Sequence, residues 1–216
     1  MSPSEKHAFD QAWNKNRLYY LKKWGGEPDK EVFVTPFAVP GSDALAGEYG
    51  RACTTPSDVW EHVATLRLAV LPGDRVIQFG THCWQAVAAF AMAGVGAVCV
   101  VDDPLSDDVK KLARLGAPVE AIGPIESPMD DGFDVAFIDG EHTAQAVGHQ
   151  LCIAAACGCR KIILHDTATF GERGEDGGDG IRSAVNDFCK HGGGKWEATL
   201  DVANNNGLMV LERAES

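Results

Sequence analysis

Residues 76–101 read VIQFGTHCWQAVAAFAMAGVGAVCVV, and this stretch decides the fold. Val76 to Phe79 form a short apolar run stopped by Gly80, the pattern of a buried strand. Residues 85–93 are rich in alanine, the best helix former, and Gly94 ends them. Residues 97–101 are a second apolar run, stopped by Asp102-Asp103-Pro104. A strand, a helix and a strand in so short a span make a parallel crossover unit.

The alternation continues downstream. Ser106 caps a helix over 107–115. Residues 119–122 and 135–138 are strands, 143–156 a helix, 162–164 a strand and 181–189 a helix. Residues 196–202 and 208–211 are strands joined by Asn204-Asn205-Asn206-Gly207, which predicts an antiparallel hairpin. The expectation is an α/β fold: a doubly wound, mostly parallel seven-stranded sheet, helices on both faces, and an antiparallel C-terminal hairpin strand.

Upstream, a helix is expected over 5–24 and an irregular cover over 31–53. Thr55-Pro56-Ser57-Asp58 reads as a helix start, with the helix running to about Leu68. The domain expectation is therefore an N-terminal helix and cover, residues 1–53, and a main domain, residues 54–216. Trp13, Tyr19, Tyr20 and Trp24 pack the first helix, with an acceptor pocket or a homo-oligomer contact as the alternative use.

Composition bounds the function. The 216 residues carry 19 basic and 31 acidic side chains, a net charge of −12, which argues against nucleic-acid and anionic-membrane partners. The start, MSPSEKHAFDQAW, has no apolar core of a secretory signal, and the expectation is a cytoplasmic protein. Seven cysteines, an odd number, read as reduced thiols. Cys83, Cys99 and Cys152 lie in apolar runs and read as core, and Cys157-Gly-Cys159 lacks the second pair a structural zinc needs.

Doubly wound sheets bind ligands beyond the carboxyl ends of their strands. Gly80-Thr81-His82, Asp102-Asp103, Asp139-Gly140-Glu141-His142 and His165-Asp166 all fall at such ends, so one crevice is expected to gather them. Asp102 and Asp103 end the second strand at this crevice and offer carboxylates, which accept hydrogen bonds. Asp139 and Asp166 end neighbouring strands, and paired carboxylates suit a hard divalent cation. Residues 171–180, GERGEDGGDG, follow directly and are expected to form either a mobile substrate lid or a solvated loop. His7, His62, His149 and His191 lack a partner pattern and read as surface or helix residues.

The order of elements, with Phe133-Asp134-Val135-Ala136-Phe137-Ile138-Asp139-Gly140-Glu141-His142-Thr143, Leu164-His165-Asp166-Thr167, Gly180-Ile181-Arg182-Ser183-Ala184-Val185 and Asn206-Gly207-Leu208-Met209-Val210-Leu211, resembles the class I S-adenosylmethionine-dependent methyltransferases. The branch it resembles holds macrolide-sugar O-methyltransferases and cephalosporin-hydroxylase-like proteins. The resemblance implies a Rossmann-like fold, S-adenosylmethionine as cofactor, and methyl transfer to an oxygen of a small hydroxylated acceptor. It implies a cofactor-binding set of Gln78, Gly80, Thr81, His82, Asp102, Asp103 and Asp139. It implies a divalent metal, Mg or Mn, at Asp139, His165 and Asp166, with His142 as the catalytic base beside Asp139.

Three departures stand out. Gln78 replaces the family's acid, and Trp84 stands where glycine is common. His165 stands where an acid is frequent, and an imidazole favours Mn²⁺, Fe²⁺, Ni²⁺ or Zn²⁺ over Mg²⁺. The alternatives are a non-catalytic binding or assembly protein with an altered cofactor loop, and a metal-dependent hydrolase that uses the same Asp/His cluster.

Overall fold

A computed structural model describes residues 42–80, 83–101, 104–125, 132–191 and 195–214. All of them lie in a compact unit of residues 39–216, and the other unit, residues 1–38, lies outside the described residues, together with the helix expected at 5–24. The elements run α1 (Ser42–Thr54), a short 3-10 turn (Trp60–His62), α2 (Val63–Ala69), β1 (Arg75–Phe79), α3 (Trp84–Ala93), β2 (Ala97–Val101), α4 (Asp107–Arg114) and β3 (Val119–Ile122). They continue with β4 (Val135–Ile138), α5 (Ala144–Ala156), β5 (Lys161–His165), α6 (Ile181–His191), β6 (Trp196–Val202) and β7 (Leu208–Arg213).

The seven strands form one sheet in the order β3-β2-β1-β4-β5-β7-β6. β1 to β5 run parallel, and β7 pairs antiparallel with both β5 and β6. The expected sheet and hairpin are both present, and the last strand lies inside the hairpin, between β5 and β6.

Alternation along each strand splits the core in two. Val76, Val98, Val100, Val135, Phe137 and Ile163 face the layer that holds α1 to α4, through Leu45, Leu66, Phe90 and Leu112. Ile77, Cys99, Ala136, Ile138, Ile162 and Leu164 face α5 and α6, through Leu151, Ile181 and Phe188. Both faces are buried, which is why the parallel strands read as unbroken apolar runs. Among the described residues no helix is long and apolar enough to cross a membrane.

Three expectations are corrected. Residues 42–53, expected as part of an irregular cover, lie in α1, which packs on α3. Gly47 and Gly50 of this helix face open space, while Leu45 and Ala52 are buried on the other side. Glu48 and Arg51 pair along α1, and they reach Lys111 and Asp108 of α4 at 2.7 and 2.8 Å. The helix expected from Thr55 begins only at Trp60. Its first carbonyls are used elsewhere: Thr55 O accepts from Gln85 Nε2 at 2.9 Å, and Asp58 O accepts from His165 Nε2 at 2.9 Å. Cys152 is exposed on α5 instead of buried. The cap expected at Ser106 forms, and Thr143, read as the first residue of its helix, caps it instead, each side chain accepting from the backbone three residues on.

The register sets the rim. Phe79 aligns with Val101 on one side and Ile138 on the other, and Ile138 aligns with Leu164. The carboxyl ends of β1, β2, β4 and β5 therefore share one edge of the sheet. Gly80 is pressed into that edge with φ +104°, and a Cβ there would overlap the Asp139 carbonyl oxygen. Gly80→Ala is therefore expected to cost on the order of 3 kcal/mol in urea unfolding, from backbone strain plus overlap. A loss under about 0.5 kcal/mol, as at an unconstrained surface site, would contradict this close approach.

Candidate functional site

At the end of β1, Gln78 is fully buried, and its Nε2 donates to the Gly80 and Cys83 carbonyls at 3.0 and 3.4 Å. An acid at this position would set an acceptor against two acceptors. The glutamine donates instead, so it braces the turn after β1. Trp84 does not fill the crevice, because its ring packs on the α1 side of the sheet with the Arg51 guanidinium 3.7 Å above its centre. Of the expected cofactor residues, Gln78, Gly80 and Asp139 lie together on the rim, and Thr81, His82, Asp102 and Asp103 lie outside the described residues.

Beyond β4 and β5 the expected Asp/His cluster assembles. His165 is 1% exposed at the end of β5. Its Nε2 meets the Asp58 carbonyl at 2.9 Å, and its Nδ1 meets Asp139 Oδ1 at 3.0 Å and Asp166 Oδ2 at 3.4 Å. A carbonyl only accepts, and so does an ionised carboxylate, so both ring nitrogens carry protons. Burial disfavours that cation, but the Asp139 and Asp166 carboxylates outweigh it and raise the pKa to about 10. Asp166 is held well below the usual carboxylate range: burial pushes it up, and the hydrogen bonds and charges of His142 and His165 prevail.

Asp166 sits at φ +59°, a left-handed conformation that a non-glycine residue rarely holds. The β6–β7 turn supports it, for Asn206 O accepts from Ala168 N at 2.8 Å and from Thr169 N at 3.1 Å. His62, read as a surface or helix residue, is buried under that turn, with its Nε2 at 2.9 Å from Asn204 O. Burial pushes its pKa down, and the neighbouring charge on His165 acts in the same direction.

His142 stands opposite. Its Nε2 lies 2.9 Å from Asp166 Oδ2, yet it makes no aligned hydrogen bond. Burial opposes its protonated form, and the adjacent Asp166 and Glu175 carboxylates raise its pKa all the same. Phe170 stacks on the ring at 4.8 Å between centres. Asp139, His142 and Asp166 each offer one donor atom, and the three atoms lie within 4.8 Å of one another. His165, expected as a metal ligand, is not in this group, and its nitrogens are engaged by the Asp58 carbonyl and the Asp139 and Asp166 carboxylates.

The donor set fits a divalent cation. His142 Nε2 and Asp166 Oδ1 are buried without a hydrogen-bond partner, an arrangement that is costly unless something else binds there. An octahedral ion with bonds of about 2.1 Å sets neighbouring ligands about 3 Å apart, close to the 2.9 Å between Nε2 and Oδ2.

Residues 171–180 form a loop joined by its own hydrogen bonds and tied to the start of α5. Arg173 and Asp179 form a β-bridge, Gly174 N donates to Gly178 O at 3.0 Å, and Ala144 N donates to Asp179 O at 3.1 Å. Its glycines serve close approach: a Cβ at Gly171 would overlap the Thr167 carbonyl, and one at Gly180 the Phe170 carbonyl. Neither Phe170 nor Glu175 announced a site role in the sequence, since each reaches His142 only through this loop.

No family model and no curated protein matches the sequence, but solved structures share the fold. The chain has the fold of the class I S-adenosylmethionine-dependent methyltransferases. Cofactor-bound Rv0187 from MTB is 18% identical, with TM-score 0.55, over 82% of this chain and 91% of that one. The 1,6-didemethyltoxoflavin-N1-methyltransferase of Burkholderia thailandensis, solved with its acceptor and S-adenosylhomocysteine, is 17% identical, with TM-score 0.56, over 82% and 88%. A Klebsiella pneumoniae protein assigned as an O-methyltransferase is 16% identical, with TM-score 0.51, over 95% and 99%.

The His165 cation gives a stability signature. Its pKa rises from 6.5 to about 10 on folding, so its contribution is complete below 6.5 and is lost as pH climbs towards 10. Urea unfolding of metal-free protein is expected to show the stability gap between wild type and His165→Gln shrinking across that window. A gap independent of pH would contradict the protonated ring.

Proposed function

We propose that the chain is an S-adenosylmethionine-dependent methyltransferase that methylates an oxygen of a small hydroxylated acceptor with the help of a divalent ion. The convergence of Asp139, His142 and Asp166 on the ligand-binding rim of a methyltransferase fold carries this reading. The fold alone leaves the acceptor atom open, since an N-methyltransferase and a protein assigned as an O-methyltransferase both share it. The cluster favours oxygen, because a hydroxyl must lose its proton as it attacks the methyl group. A divalent ion in this seat would lower the pKa of a bound hydroxyl. Asp139, His142 and Asp166 would hold the ion, and an imidazole among them favours Mn²⁺, Fe²⁺, Ni²⁺ or Zn²⁺ over Mg²⁺.

In this reading Gln78 and Gly80 shape the cofactor turn from within, and Thr81, His82, Asp102 and Asp103 keep the cofactor roles expected of them. His165 braces Asp139 and Asp166 and holds its two protons. His142 has two competing offices. With Nδ1 against Glu175 and Nε2 at the ion seat, no nitrogen is left free to take a proton, so the ligand role accounts for more of the geometry than the base role. The acids of 171–180 beside the site disfavour an anionic acceptor. The protein is proposed to work in the cytoplasm, without nucleic-acid or membrane partners.

Calorimetry separates the parts. S-adenosylhomocysteine is expected to bind, and no binding at millimolar ligand would remove the methyltransferase reading. Mn²⁺ is expected to bind wild type, with His142→Ala weakening it about tenfold or more while S-adenosylhomocysteine affinity holds. Unchanged Mn²⁺ affinity in His142→Ala would return His142 to the base role.

A further inference from the structure

The loop of residues 171–180 places one carboxylate on the far side of His142. His142 N donates to Glu175 Oε1 at 3.2 Å, and His142 Nδ1 lies 3.4 Å from Glu175 Oε2. In return, Glu175 N donates to His142 O at 3.4 Å. One side chain thus grips both the backbone and the ring of a residue 33 positions away. Gly174 is tight against the same His142 carbonyl, where a Cβ would stand 3.0 Å off. Phe170, at the root of the loop, covers a face of the ring with an interplanar angle of 14°. The His142 ring is therefore held at Nδ1, on one face and along its backbone, and its other nitrogen points to Asp166.

We propose that Glu175 is a positioning residue: it anchors the proton of His142 on Nδ1 and so presents the Nε2 lone pair to a divalent ion shared with Asp139 and Asp166. The inference rests on the ion seat proposed above and adds to it an outer carboxylate from the loop. The physical reason is general. An imidazole that ligates through one nitrogen needs its other N–H fixed by an acceptor, which sets the tautomer and ring orientation and makes the ligand more basic. A backbone carbonyl can do this, but a carboxylate adds charge, and here it also ties the loop to the site. The 171–180 segment then acts as a clasp that stays closed, and its glycines let the chain pass close to itself.

The experiment is a double-mutant cycle read as Mn²⁺ affinity by calorimetry on the full chain. Glu175→Gln keeps the size of the side chain but puts an NH₂ against one of the two His142 donors. It is expected to weaken Mn²⁺ binding about tenfold, the usual scale for an outer-shell partner, with S-adenosylhomocysteine affinity unchanged. In a His142→Ala background the same change is expected to have no effect. Wild-type Mn²⁺ affinity in Glu175→Gln would overturn the proposal and leave the ion seat standing. An equal loss in both backgrounds would also overturn it, since it would mark a general effect of the loop. If wild type itself binds no Mn²⁺, the ion seat falls and this inference falls with it.

Discussion

A single buried ring organises the carboxyl-end edge of the sheet. His165 ends β5 with one nitrogen on the Asp58 carbonyl and the other on the Asp139 carboxylate, so it ties the segment before α2 to the end of β4. Because each partner only accepts, the ring must stay doubly protonated, and its charge lets Asp139 and Asp166 sit close together in a site with little water. Without that cation, two carboxylates at neighbouring strand ends would repel each other.

The same constraint redistributes roles. A ring engaged at both nitrogens leaves the nitrogen donor of the proposed cation seat to His142, across the crevice. His142 stands where Thr143 caps α5, and it is fixed by Phe170 and Glu175 from the loop before α6. The left-handed backbone at Asp166 belongs to the same design. The Asn206 carbonyl secures the residues that follow Asp166. Strain of this kind persists only where the surroundings over-determine it.

Much of this was legible in the chain itself, for local reasons. Strands buried on both faces must be apolar throughout, so Val76–Phe79 or Val135–Ile138 reveal themselves without a partner. A parallel sheet sends the residues after such runs to one edge, so Asp139 and Asp166 could be named from position alone. What escaped depends on distant contacts. The α1 helix carries two glycines that only its exposed face excuses. Thr55 and Asp58 look like a helix start until Gln85 and His165 take their carbonyls. His62 has no local signal, because its partners are carbonyls of a turn far along the chain. The glycines of 171–180 suggest mobility in one dimension and close packing in three.

The central claim is that Asp139, His142 and Asp166, and not His165, form a seat for a divalent cation. Anomalous X-ray scattering from crystals grown with Mn²⁺ and S-adenosylhomocysteine addresses it most directly. The account predicts one strong Mn²⁺ peak within bonding distance of those three side chains, with His165 still joined to Asp58 and Asp139. A peak ligated by His165 Nδ1, or no peak at this cluster under saturating Mn²⁺, would contradict it.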